Sequence, residues 1–112
     1  MSGSGVIREI VDIYLKHGWI LRRVLLSEAA KNVLSGSESK LFGDIEVSPS
    51  NIDAAWFSRP PTDGETAWEL RYLGDVAYAL LVYVDESSPE FEASLSEVEE
   101  RLSETIAKKQ QA

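Results

Sequence analysis

Three arginines are the side chains of this sequence whose types and spacing best suit ligand binding. Arg22, Arg59 and Arg71 each stand three residues after a tryptophan and four after a small residue. A guanidinium group donates several hydrogen bonds in a planar fork, which matches the oxygens of a carboxylate or a phosphate. Together with the ring of Phe57, these arginines are candidates for a surface that binds an anionic group or a protein partner, but sheet architecture alone explains the repeated spacing and is the favoured interpretation.

The repeated spacing of tryptophan and arginine also predicts how a sheet presents them. On a β-strand, residues three apart point to opposite faces, so each tryptophan is expected on the face opposite its arginine. A hairpin centred on Thr62 pairs Trp56 with Trp68, and Asp53 with Arg71. Apolar side chains then meet on the inner face and opposite charges meet on the outer face, which favours this register.

Residue types that carry catalysis or bind metals are scarce. The sequence contains a single histidine, His17, and no cysteine, so thiolate chemistry is excluded and a Ser-His-Asp triad would depend on one residue. His17 is expected in the last turn of a helix, where the helix dipole favours a positive charge. Glycines stand singly, without a phosphate-binding loop. We therefore predict a non-enzymatic protein with no metal site and no cofactor.

One short pattern resembles a motif of metal-dependent nucleases. Asp53, followed by Glu69-Leu70-Arg71, is similar to the acid, spacer and Glu-x-Lys pattern of that family. Arg71 stands where the family has lysine, and the predicted register places Asp53 opposite Arg71 instead of Glu69. These departures, together with the acidic charge of the chain, argue against a nuclease.

Length and composition predict one acidic globular domain that spans residues 1–112. The apolar content of 44% allows a core, and the formal net charge of −8 opposes binding to nucleic acid, whose phosphates require clustered Lys and Arg. No apolar run reaches the roughly 18 residues of a membrane span. Since the sequence also shows no basic leader and no cysteine, we predict a cytoplasmic protein that does not bind membranes.

Hydrophobic periodicity and turn residues predict helices at both ends, with strands between them. Residues 19–26 fit a strand better than a continuation of the first helix, because they follow a glycine and favour β-structure. Residues 35–51 are expected to form a loop with a short edge strand at 44–47. The predicted helices are 6–17, capped by Ser4; 28–34, capped by Ser27; and a last helix starting at Ser88-Pro89.

The run from Val76 to Val84 is apolar on both faces, and its register depends on the turn before it. A two-residue Gly74-Asp75 turn would place Leu81 and Tyr83 on the tryptophan face. A longer turn would place the alternate residues from Tyr78 to Val84 there, and we favour it because it buries the bulkier set. In either register an apolar face remains outside, and a loop, a helix or a second subunit has to cover it.

These elements predict an α+β fold of the two-layer sandwich type. An antiparallel sheet of four or five strands carries the N- and C-terminal helices on its tryptophan face. The order of elements resembles that of several small α+β adaptor, secretion-chaperone and toxin-immunity proteins, and this resemblance concerns architecture alone.

Two functions are compatible with this fold. The first is a protein-interaction module that forms a homodimer through the outer face or an edge of the sheet. The second is a protein or enzyme that binds a small anionic or hydrophobic molecule between sheet and helices, near Trp19, Trp56, Trp68 and Tyr72. The candidate binding residues are Arg22, Phe57, Arg59, Arg71, Leu81 and Tyr83.

Overall fold

The computed structural model describes residues 3–34, 36, 38–60, 66–74 and 76–111. These residues form four helices and five strands. The helices are α1 (Gly3–Lys16), α2 (Glu28–Val33), α3 (Glu38–Phe42) and α4 (Phe91–Gln111). The strands are β1 (Ile20–Leu26), β2 (Val47–Pro49), β3 (Ala54–Arg59), β4 (Thr66–Tyr72) and β5 (Ala79–Val84).

The strands form one mixed sheet in the order β2-β1-β3-β4-β5. β1, β3, β4 and β5 pair in antiparallel fashion, whereas β2 lies parallel to β1 at one edge. A parallel neighbour requires a crossover connection, and the segment that contains α2 and α3 provides it. The predicted α+β fold is confirmed, with a sheet that is mostly but not wholly antiparallel.

α4 covers the face of the sheet that carries Trp56 and Trp68. The indole Nε1 of Trp56 donates a hydrogen bond of 2.8 Å to Glu99 of the helix. The two tryptophan rings meet edge to face, with 5.9 Å between their centroids, a geometry that aromatic pairs prefer. α4 packs on these rings through an apolar stripe that consists of Phe91, Leu95, Val98, Leu102 and Ile106.

The opposite face of the sheet has a core of its own, beneath α1, α2 and α3. β3 contributes Ala55 and Phe57 to this core, in alternation with the residues that face α4. Ile7, Ile10 and Val11 of α1 belong to the same cluster, and their spacing matches one face of a helix. β3 is therefore buried on both of its faces.

The helices at the two ends of the chain lie on opposite faces, and the predicted two-layer sandwich is not confirmed. That prediction treated the face with Ala55 and Phe57 as an outer surface, but both residues are 0% exposed. A strand that is apolar on both faces needs cover on both. The described residues accordingly form three layers, with α1, α2 and α3 on one side of the sheet and α4 on the other.

The β3–β4 hairpin keeps the predicted faces but not the predicted register. Trp56 lies opposite Leu70 instead of Trp68, a shift of two residues from a hairpin centred on Thr62. Because side chains alternate with a period of two, an even shift leaves every residue on its predicted face. The turn itself, residues 61–65, lies outside the described residues, and so does Glu65, which a hairpin centred on Thr62 would pair with Arg59.

The expected pairing of Asp53 with Arg71 does not hold. Arg71 lies opposite Ala55, and Asp53 precedes β3. The Oδ1 atom of Asp53 accepts a hydrogen bond of 2.7 Å from the backbone N–H of Ser27, at the start of α2. This hydrogen bond gives a partly buried backbone N–H a charged acceptor, which contributes more to stability than an exposed ion pair on the surface of a sheet.

Several local predictions are confirmed. Residues 20–26 form a strand, and Gly18 before them has a φ of 89°, the left-handed conformation that ends a helix. Ser27 caps α2, because its hydroxyl accepts a hydrogen bond of 3.2 Å from the N–H of Ala30. β5 adopts the register of the longer turn, with Leu80 and Val82 on the α4 side.

Other boundaries differ from the prediction. α1 begins at Gly3, so Ser4 lies inside the helix and does not cap it. The segment 35–51 contains α3, and its edge strand covers 47–49 instead of 44–47. Burial of Phe42 stabilises α3, and the polar composition around it gave no sign of that helix. α4 begins at Phe91, after a turn formed by Ser88 and the residues that follow.

Replacing Leu102 by alanine tests whether α4 belongs to the core. Leu102 is 0% exposed, whereas Leu15 of α1 is 49% exposed. We expect Leu102→Ala to lower the free energy of unfolding by about 2–5 kcal/mol, because it leaves a cavity. Leu15→Ala, the same change at a half-exposed helical position, should cost about 1 kcal/mol or less. Urea denaturation measures both, and equal losses would show that α4 does not pack on the sheet.

Candidate functional site

The cover formed by α1, α2 and α3 stops before it reaches β5. Within the described chain, the core on that face draws its strand residues from β1 and β3 and includes none from β5. On the opposite face, α4 packs on both β4 and β5. β5 is therefore covered on one face and open on the other. This open face of the β4–β5 ladder is the candidate site.

β5 alternates between these two environments along its length. Leu80 and Val82 pack against the core under α4, whereas Leu81 and Tyr83 are 50% and 62% exposed on the open face. Apolar surface left in water is unfavourable, and a partner that covered it would gain the corresponding free energy. Across the ladder, the open face holds three opposed pairs: Ala67–Tyr83, Glu69–Leu81 and Arg71–Ala79.

The two edges of the sheet differ in their protection against pairing with another strand. β2 has three residues and ends at Pro49, and a short strand with a proline discourages further pairing. β5 has six residues and contains no charged residue, proline or glycine. Within the described residues, β4 is its sole strand neighbour. The outer backbone groups of β5 are thus a template for another strand.

Two charged residues of β4 stand on the open face beside Leu81. Glu69, which lies opposite Leu81, accepts a hydrogen bond from the hydroxyl group of Tyr14 in α1. Arg71 donates through Nη1 to the backbone carbonyl of Tyr72. The two side chains have opposite charges and are partly buried, so the face carries no net charge of its own. Such a face does not repel a second copy of itself.

The structure brings three of the six predicted binding residues together. Arg71, Leu81 and Tyr83 share the open face of β4 and β5. Phe57 belongs to the same side of the sheet but is buried, because Tyr14 stacks on its ring with 4.2 Å between centroids. Phe57 is therefore a core residue that no partner can reach in the folded chain.

The other two arginines lie apart from the open face and from each other. A β-bulge in β1 turns Arg22 towards the α4 face, where its Cζ atom lies 4.7 Å from the centroid of the Trp68 ring. The Cζ atom of Arg59 lies 5.3 Å from the centroid of the Trp19 ring. In both contacts a cation packs on an aromatic ring. The arginines thus contact tryptophans and do not form one anion-binding cluster.

The two central tryptophans lie in the core beneath α4. Trp56 and Trp68 are 0% and 1% exposed, and a ligand pocket near Trp19, Trp56, Trp68 and Tyr72 stays a prediction. A cavity of about 340 Å³ lies on the other face of the sheet, between α1, α2 and the loop ends beside β3 and β4.

Side chains suited to metal binding are not clustered in the described chain. Within the residues that the structure describes, no three His, Asp or Glu side chains are placed to hold a metal ion. His17 is exposed at the end of α1, with Nδ1 2.8 Å from the carbonyl oxygen of Ile13. None of the described helices combines the length and the apolar character needed to cross a membrane.

Comparisons with models of protein families, with curated proteins and with solved structures gave no match. The fold and the site together describe a small three-layer α+β domain with one open sheet edge. Its function has to be argued from the chemistry of that edge, because a fold does not by itself determine a function.

The hydrogen bond between Tyr14 and Glu69 fixes α1 at the margin of the open face. The sequence alone does not predict this bond. Tyr14 has the helical spacing of the apolar residues of α1 and would be assigned to the core with them. Burial raises the pKa of the Tyr14 phenol well above its usual value, and the hydrogen bond to Glu69 and the charge of that carboxylate raise it further. The positive charge of Arg71 acts in the opposite direction.

This raised pKa predicts a loss of stability in alkali. The folded chain holds the phenol proton more tightly than the unfolded chain, so the stabilisation is fully present below about pH 10 and is lost as the pH rises further. We expect the difference in free energy of unfolding between the unmodified chain and Tyr14→Phe to shrink from about pH 8 to about pH 11. Urea denaturation at both values measures it, with Tyr83→Phe as the control. A constant difference would contradict the buried hydrogen bond.

Proposed function

We propose that this protein is an interaction module that forms a homodimer by pairing β5 with β5 of a second copy. The observation that carries the proposal is the contrast between the protected β2 edge and the unprotected β5 edge. A long, apolar and open edge strand is an aggregation hazard for a monomer. A partner strand removes this hazard, and its side chains pack beside Leu81 and Tyr83 on the open face.

Pairing about a twofold axis makes the two copies of β5 antiparallel and continues the sheet across the interface. With the axis beside Leu81, this residue lies opposite the partner's Leu81, and Ala79 lies opposite the partner's Tyr83. The smallest side chain of the open face thus meets the largest. On the α4 side, Leu80 lies opposite the partner's Val82. β5 is therefore complementary in size to its own reversed copy.

The acidic charge of the chain is compatible with this arrangement because no charge lies on β5. The net charge of −8 opposes random association, and the first acidic residue after the strand is Asp85. In the antiparallel pairing, Asp85 lies about 26 Å from the partner's Asp85, at roughly 3.3 Å of strand per residue. That separation exceeds the Debye length of about 8 Å at physiological salt. Repulsion between these ends is therefore weak.

The oligomeric state of the full chain tests the proposal. We expect sedimentation equilibrium to find a dimer at concentrations on the order of 100 μM. Leu81→Lys places two like charges opposite each other at the twofold axis, and a lysine on an edge strand discourages pairing. It should raise the dimer dissociation constant at least about tenfold while leaving the fold intact, as judged by circular dichroism.

Ile13→Lys is the matched control, since Ile13 is 56% exposed on α1, away from β5. This variant adds the same charge and removes a similar apolar side chain, and it should remain dimeric. A chain that stays monomeric at that concentration would refute self-association. Equal weakening by the two substitutions would show that self-association does not depend on the β5 edge.

A further inference from the structure

We infer that the cavity on the α1 face binds a small apolar molecule that carries one positively charged amine. The cavity has a volume of about 340 Å³, within the range of about 300–1,000 Å³ that is usual for small-molecule sites. It lies where the first turns of α1 approach α2 and the loop after β4. No residue of β5 is among its described lining residues, so the inference does not rest on dimerisation.

The wall of the cavity is mainly apolar. Ile7 of α1, Leu34 after α2 and Leu73 after β4 line it and are buried in the core on this face. Val33, at the end of α2, lines it as well and is 68% exposed. A ligand with a short hydrocarbon part would contact the buried wall and remove Val33 from water.

One charged residue stands among the described lining residues, and it determines the head group of the ligand. Asp53 lines the cavity, and its Oδ1 atom accepts the 2.7 Å hydrogen bond from the backbone N–H of Ser27. Its backbone carbonyl accepts a second bond, of 2.8 Å, from the N–H of Leu73. These two bonds hold the carboxylate in place at the edge of an apolar wall.

The charge of Asp53 has no partner within the described part of the chain. The ion pairs found there involve Arg22 and Arg23, both on the α4 face, and none reaches Asp53. A partly buried carboxylate beside apolar surface is stabilised by a cation that brings its own hydrogen-bond donors. An alkyl ammonium group supplies both, and its hydrocarbon chain fits the wall. A fatty acid would fit the wall equally well but would place two carboxylates together.

Three molecules with the same alkyl chain and different head groups distinguish binding to the apolar wall from binding to the charge of Asp53. n-Octylamine, 1-octanol and octanoate can each be titrated into the full chain and followed by amide NMR shifts. We expect octylamine to shift the amides of cavity residues such as Ala30, Leu34 and Gly74. We expect octanoate to bind at least about fivefold more weakly than octylamine, since it has the opposite charge. Equal affinities of the two ions would overturn the inference.

Asp53→Asn removes the charge and keeps the oxygen that accepts the hydrogen bond from Ser27. Octylamine affinity should fall about fivefold in this variant while octanol affinity stays unchanged. Asp12→Asn, at an exposed aspartate on α1, is the matched control and should change neither. An unchanged octylamine affinity in Asp53→Asn would refute the role of the carboxylate.

Ala29→Phe provides a second test that leaves Asp53 and its hydrogen bonds intact. Ala29 lines the cavity from an exposed position on α2, so a larger side chain there can occupy the site without entering the core. Binding of both octylamine and octanol should be lost. If both still bind with unchanged affinity, the alkyl chain lies elsewhere on the protein and the inference fails, whatever the stability of Asp53→Asn.

Discussion

Burial of β3 on both faces is the constraint on which the rest of the structure depends. Each face presents one aromatic ring, Trp56 on one side and Phe57 on the other, and rings of this size bury about 150–250 Å² each. Each ring also contacts a polar side chain of the helix that covers it. Trp56 donates to Glu99 of α4, and Phe57 stacks on Tyr14 of α1. The central strand thus positions both helical layers.

The open edge follows from how far these two layers extend from β3. α4 continues over β4 to β5, whereas the layer of α1, α2 and α3 extends towards β1, where Leu21, Val24 and Leu26 are buried. The bond between Tyr14 and Glu69 marks the limit of that layer on the β4 side. β5, at the far end of the sheet, is therefore covered on one face only, although its sequence is apolar on both faces.

Alternation along the strands predicted the face of Trp56 and Trp68 and the outer side for Leu81 and Tyr83, because the period of two is a local property. It did not predict the face that α1 would cover. Periodicity shows which side of a helix is apolar, but two apolar sheet faces were available to it. Alternation also could not predict the two-residue shift in the register of the β3–β4 hairpin, because a shift of two residues leaves every side chain on the same face. The contacts of Arg22 and Asp53 join distant parts of the chain, which no local pattern encodes.

In the proposed dimer, the acidic residues that flank β5 also select among the ways in which two copies can pair. A uniformly apolar strand specifies its register weakly, because many alignments bury similar surface. Moving the axis from Leu81 to Tyr83 would bring Asp85 to within about 13 Å of the partner's Asp85, at roughly 3.3 Å per residue. A parallel pairing would place the two side by side, at about 5 Å between strands. Since repulsion grows as these distances approach the Debye length, the charges at the end of β5 disfavour both the parallel pairing and the register centred on Tyr83.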